Sequence, residues 1–182
     1  MRRKGLQEYN LLIGCPRERE KAATSEVQYF IGDLLGDSEL RVSRTPISGL
    51  LACRTALNPI ETVHRLKEFA FENPYQFRFA VRFTPLEFCV RSDITEIVRI
   101  AEAQSTRIKD DESFRVTVRR RHTTLRTMEV ISAVAAVIPR RVDLDNPDKT
   151  LFIEIVGDWT GISLLRPEED ILSIRSMRDD LY

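Results

Sequence analysis

FRVTVRRRHTTLR, residues 114–126, opens as a strand and ends as something else. Phe114, Val116 and Val118 alternate with Arg115, Thr117 and Arg119, the two-residue period of a half-buried β-strand. Arg119, Arg120, Arg121 and His122 then run on without a break. Residues 125–138 then read as a helix with Val130, Ile131, Val134, Val137 and Ile138 inward, closed by Pro139. A strand therefore feeds a helix through a cationic turn, and the C-terminal half reads as α/β. Past the helix, VDLDNPDKT gives a short extended piece and an Asn-Pro turn. TLFIEIV (150–156) and WTGISLL (159–165) form a hairpin around Gly157-Asp158. On the N-terminal side, Asp93 caps a helix over 93–107 with Glu96 three residues on.

The first 85 residues interleave strands and helices without an internal repeat. YNLLIGC (9–15) reads as a buried strand, and 17–35 as a helix with Ala23, Val27, Phe30, Ile31 and Leu34 on one face. ELRVSRT (39–45) and ISGLLACR (47–54) read as strands, and Asn58-Pro59 starts a second helix that ends at Asn73-Pro74. QFRFAVRFTP (76–85) alternates, which predicts a strand with Phe77, Phe79, Val81 and Phe83 inward and Arg78, Ala80 and Arg82 outward. The order βαββαβ predicts a ferredoxin-like antiparallel sheet with helices on one face and the other face free for a partner. The expected division is 1–85 and 86–182, the latter ending in an acidic tail, RPEEDILSIRSMRDDLY, expected to pack lightly.

Zero net charge at first argues against a polyanionic partner, but its distribution reverses that. Residues 113–141 carry seven Lys/Arg and one Asp/Glu, a net +6, and residues 142–182 carry four and ten, a net −6. Local field decides where an anion binds. No run approaches the length of a membrane helix, and the apolar run near the basic N-terminus is too short for a signal peptide, so a cytoplasmic protein without membrane contact is expected. Cys15, Cys53 and Cys89 lie apart in apolar contexts without a CxxC pair and read as buried thiols.

Catalytic and cofactor patterns are missing. The sequence has two histidines, His64 and His122, and no phosphate-binding glycine loop or nucleophile elbow. Asp110-Asp111-Glu112 reads as a solvated loop and Asp143, Asp145 and Asp148 as turn carboxylates, since the glycine and terminal Glu of a calcium loop are absent. No cofactor, metal site or catalytic residue is expected, and the protein is expected not to be an enzyme. Arginine forks beside a helix start suit phosphate oxygens. Arg119, Arg120, Arg121, His122 and Arg126 are the leading RNA-contact candidates, followed by Arg140, Arg141 and Lys149.

The F-x-V-x-V-R-R strand at 114–120, the helix carrying Glu129-Val130-Ile131, VDLDNPD at 142–148 and the strand LFIEIV with Glu154 together resemble a THUMP domain over about 86–170. THUMP domains are small α/β RNA-binding modules of tRNA-modifying proteins that follow a ferredoxin-like domain. The resemblance implies binding to the acceptor stem and 3′ end of tRNA. With no ATP-pyrophosphatase or methyltransferase domain after Tyr182, the chain is similar to stand-alone THUMP adaptors that present tRNA to a cytidine acetyltransferase making N4-acetylcytidine. Two alternatives stand beside this: the RNA-binding subunit of a split thiolation or methylation enzyme, and a small-ligand or dimerisation module in which the arginines only solubilise.

Overall fold

The computed structural model of the chain describes residues 9–179. The described residues form two compact units. One comprises residues 9–86 together with 168–179, and the other 87–167.

In the first unit, β1 (Leu11–Gly14), β2 (Arg41–Arg44), β3 (Leu50–Arg54) and β4 (Arg82–Pro85) alternate with α1 (Glu20–Val27), which continues as a wider π-turn to Leu34, and α2 (Pro59–Glu72). The strands pair antiparallel in the order β4-β1-β3-β2, the ferredoxin-like arrangement predicted from the strand–helix order. Asn58 caps α2, its Oδ1 accepting from the Ile60 and Glu61 N–H groups at 3.0 Å. The core lies between sheet and helices: Leu11, Ile13, Val27, Phe30, Leu51, Leu66, Phe77 and Phe83 are fully buried. Phe30 stacks on Phe77 with centroids 4.0 Å apart, and Phe77 meets Phe83 edge-on.

Three expectations need correction here. Residues 76–81 are not strand, because the Glu26 carboxylate takes their donors: Arg78 N–H at 2.8 Å, Phe79 N–H at 2.9 Å and Ala80 N–H at 2.8 Å. A side chain thus replaces the ladder, and the alternation fails: Ala80 is buried while Phe79 and Val81 are half-buried. The sheet face away from the helices is not free, since Leu12, Ala52 and Thr84, which share one row across β1, β3 and β4, are buried as well. Residues 168–179 of the tail do not pack lightly and do not belong with the C-terminal unit, and its last three residues, 180–182, lie outside the described residues. Its Leu172–Ser173 strand pairs with Phe83 and Arg82, and Leu172 and Ile174 are 0% exposed. His64 Nε2 lies 2.7 Å from Asp170 Oδ1, Lys67 donates to the Glu168 carbonyl, and Arg178 donates to the Phe77 carbonyl at 2.8 Å.

The second unit is built from β5 (Phe88–Arg91), α3 (Ile94–Gln104), β6 (Ser113–Arg121), α4 (Thr127–Ala135), β7 (Arg141–Val142), β8 (Lys149–Val156) and β9 (Trp159–Leu165). The sheet order is β5-β9-β8-β6-β7, with β6 parallel to β8 and β7, and β9 antiparallel to β5 and β8. Residues 150–156 of the central strand are buried on both faces, which explains their nearly unbroken apolar run. Val116, Leu151, Ile153, Ile155, Ile162 and Leu164 pack with Ile97 and Ala101 of α3 and Val130 and Val134 of α4. The strand β5 and the pairing of β7 extend the element order expected from the sequence. No helix among the described residues is long and apolar enough to cross a membrane.

Candidate nucleic-acid interface

The cationic turn sits at the C-terminal end of β6, and side-chain alternation splits its arginines. Arg120 continues the Phe114, Val116, Val118 face, and Arg119 and Arg121 take the other. Arg121 Nη1 donates to Glu154 Oε2 at 2.8 Å, and Glu154 is 2% exposed. Arg119 stands in register with Glu154 yet has no ion-pair partner among the described residues. Arg120 Nη1 donates to the Leu125 carbonyl at 2.7 Å, and so braces the loop between β6 and α4 with its remaining donors still exposed.

His122 turns the chain in the left-handed region, at φ 52°. Gly157, at φ 59°, makes the matching turn of the β8–β9 hairpin, and its N–H donates to the Arg121 carbonyl at 2.9 Å. The two turns are thereby tied together. Between them and the end of β5 lies an open cleft of about 610 Å³ lined by Arg91, Ser92, Asp93, His122, Thr123, Thr124, Gly157 and Asp158.

Two helices start at this edge, and their starts differ. Asp93 caps α3, accepting from the Thr95 and Glu96 N–H groups at 2.9 and 3.2 Å. Arg126 occupies the cap position of α4 and supplies no side-chain acceptor. The first-turn N–H groups of α4 are left without a capping side chain next to exposed Arg120 and Arg126. Free N–H groups, the positive end of the helix dipole and guanidinium forks form a place for a phosphate.

Arg140, Arg141 and Lys149 are elsewhere. Arg141 pairs with Ser113 and Lys149 with Phe114, at the start of β6, roughly 25 Å from Arg121 along the strand. Arg140 donates to the Ile108 and Pro139 carbonyls and meets Asp110 at 3.1 Å, and Lys149 meets Glu112 at 3.2 Å. These two brace the loops at the far end, whereas Arg141 is exposed. The eight expected contacts therefore form no single patch: Arg119, Arg120, Arg121, His122 and Arg126 share the C-terminal end of β6, with Arg119 and Arg121 on the sheet face opposite Arg120, and the other three lie at the start of that strand.

The acidic residues hold turns. Asp143 Oδ1 accepts from the Asp145 and Asn146 N–H groups, and Asp148 Oδ2 accepts from the Ser113 N–H and hydroxyl at 2.7 and 3.1 Å. Those backbone donors hold both carboxyls below their ordinary range. Arg115 fixes the same loop through the Leu144 carbonyl. Among the described residues no His, Cys, Asp and Glu cluster could hold a metal. Of the three thiols only Cys53 is fully buried, and Cys15 and Cys89 are half-buried.

Sequence reasoning missed Arg91, Ser92 and Trp159. Arg91 lies across from Trp159 in register, its guanidinium carbon 4.6 Å from the indole centroid. The cleft thus has an aromatic at its side, which the sequence reading had not placed near the arginines. The available signal was a Trp following the Gly157-Asp158 turn.

The fold and this edge define a two-unit α/β protein with an open cleft at the ends of its C-terminal strands and exposed arginines near it. Within that C-terminal unit, residues 91–165 match the THUMP domain family. No curated protein matches the chain in sequence. Solved structures share its fold. PH1313 from Pyrococcus horikoshii OT3 superposes with a TM-score of 0.63 at 18% identity, covering 91% of this chain and 55% of that one. A 4-thiouridine synthetase, solved as an RNA complex with bound ATP, gives 0.57 at 17% identity, covering 91% and 42%. TrmN from Thermus thermophilus gives 0.54 at 16% identity, covering 85% and 44%. The chain thus spans about half the length of these proteins.

Proposed function

We propose that this chain is a cytoplasmic, non-catalytic tRNA-binding protein that presents tRNA to a separate modification enzyme, a cytidine acetyltransferase forming N4-acetylcytidine. The observation that carries the RNA-binding part is the uncapped start of α4 flanked by Arg120 and Arg126 within a THUMP domain. Phosphates are gripped by forks and helix N–H groups, and the shape of an A-form stem is read rather than its hidden bases. The acceptor stem and 3′ end are the part of tRNA this reading assigns. Binding is expected to weaken steeply with salt.

A second reading is the RNA-binding portion of a thiolation or methylation enzyme whose catalytic domain lies on another polypeptide. It is favoured by the structural likeness to a 4-thiouridine synthetase and to a possible methylase from Clostridium difficile 630, which superposes with a TM-score of 0.54 at 17% identity. Removing the gene and profiling tRNA nucleosides by mass spectrometry separates the two. Loss of N4-acetylcytidine supports the adaptor, and loss of 4-thiouridine or a methylated base supports the second reading. Failure of the purified chain to bind tRNA at low salt overturns both.

A further inference from the structure

We propose that Arg91 and Trp159 form a stacking platform for an unpaired base of the bound RNA, an inference that rests on the RNA-binding reading and adds a base-contacting surface to it. One row of register pairs crosses four strands at the cleft edge: Arg91 with Trp159, Trp159 with Val156, and Val156 with Arg121. Their side chains share the sheet face opposite the helix-packed core, because Ile162 and Leu164 take the other parity on β9. A guanidinium therefore stands at each end of an apolar and aromatic centre. Trp159 is partly exposed there, and Arg91, which lies over its ring, also lines the cleft.

The platform is rigid before anything binds. Ser92 N–H donates to the Asp158 carbonyl at 2.8 Å, Ser92 and Thr160 share a hydroxyl hydrogen bond at 2.9 Å, and Asp93 N–H donates to the Arg91 carbonyl at 2.8 Å. The turns on either side of the stack are thus locked to each other, which lowers the ordering cost of binding. A planar cation on an indole offers its outer face to a base, and such stacking is indifferent to base identity. Bases in a duplex cannot reach it; those in a single-stranded end can. The uncapped start of α4 and Arg120 lie at the same strand ends but on the helix-packed face of the sheet, so the platform is a separate contact surface from them.

The test compares two labelled hairpin RNAs in polarisation titrations, one blunt and one with a short unpaired 3′ extension. Trp159→Ala and Arg91→Lys are each expected to lose about tenfold more affinity for the extended hairpin than for the blunt one. Arg91→Lys keeps the charge and removes the plane. Trp159→Phe keeps a ring and is expected to regain most of what Trp159→Ala loses. Equal losses on both hairpins, or parental binding of the extended hairpin by Arg91→Lys, overturn the platform while leaving RNA binding intact. A parent chain that binds neither hairpin overturns the RNA-binding reading and the platform with it.

Discussion

The Arg121 guanidinium donates to the buried Glu154 carboxylate at 2.8 Å, while Arg119, aligned with Glu154 across the same two strands, keeps its charge unpaired among the described residues. One carboxylate thus sorts two neighbouring arginines into a structural and an available one. Arg121→Ala leaves Glu154 buried without its cation and is expected to cost about 3 kcal/mol. The melting temperature should fall by about 6–12 °C. Replacing both partners, Arg121→Met with Glu154→Leu, should recover most of that loss. Calorimetry on the three proteins checks the ordering, and a double variant as unstable as the single one contradicts the pairing.

RNA affinity should respond to other positions. Arg120→Glu with Arg126→Glu reverses two exposed charges beside the start of α4 without disturbing a carboxylate pair. tRNA binding is expected to weaken at least tenfold, and the slope of log affinity against log salt to shrink by about two. Arg140→Ala, about 25 Å away along the strand, should change stability more than RNA affinity. A gel-shift series over salt concentration, with calorimetry alongside, tells these apart.

Glu26 decides where the fourth strand of the N-terminal unit begins. Its carboxylate accepts three consecutive backbone N–H groups, from Arg78, Phe79 and Ala80. Glu26→Ala strands those donors and is expected to destabilise by about 2–4 kcal/mol, with Glu26→Gln intermediate because an amide supplies one acceptor oxygen instead of two. Chemical denaturation of the two variants measures it.

That contact also marks the limit of what the sequence discloses. Phe77, Val81 and Phe83 alternate well enough to predict a strand from 76, and local pattern carries no sign that a side chain fifty residues earlier captures the backbone. The strand–helix order of the ferredoxin-like unit and the β6–α4 turn were legible because each rests on short-range periodicity and capping. The sorting of the arginines was not legible, since it depends on which register places a carboxylate opposite. Trp159 escaped notice for the same reason: its neighbour Arg91 is 68 positions away in sequence and adjacent only through the β5–β9 pairing.

The tail should behave as part of the N-terminal core. Leu172→Ala removes a fully buried side chain packed with the cluster around Phe83, and an expected loss of about 2–5 kcal/mol follows. Arg175→Ala, on the exposed side of the same segment, should stay within about 0.5 kcal/mol. Equal effects at the two positions would mean that the segment does not dock.

The thiols give a chemical check on the same packing. Burial pushes Cys15 and Cys89 up to about 11 and raises Cys53 further. At pH 8 only about one thiol in a thousand is then ionised at Cys15 or Cys89, and the thiolate is the reactive form. Disulfide reagents should label the native protein slowly and all three cysteines rapidly in denaturant. A fast native phase would place a thiol outside the apolar surroundings found here.

Asp148 links acid sensitivity to the loop that closes β6. The Ser113 backbone N–H and hydroxyl hold its carboxyl below the ordinary range, and Arg141 and Lys149 add to this. A carboxyl whose folded-state pKa lies below its unfolded one contributes stability above the unfolded pKa, and that contribution disappears as pH falls through the folded pKa. Asp148→Asn should therefore be less stable than the parent at neutral pH, and the gap should close as pH drops through and below the carboxylate range. Stability curves for both proteins from neutral to strongly acidic pH check the sign. A gap that stays constant with pH would mean that the Ser113 contacts do not favour the ionised carboxylate over its neutral form.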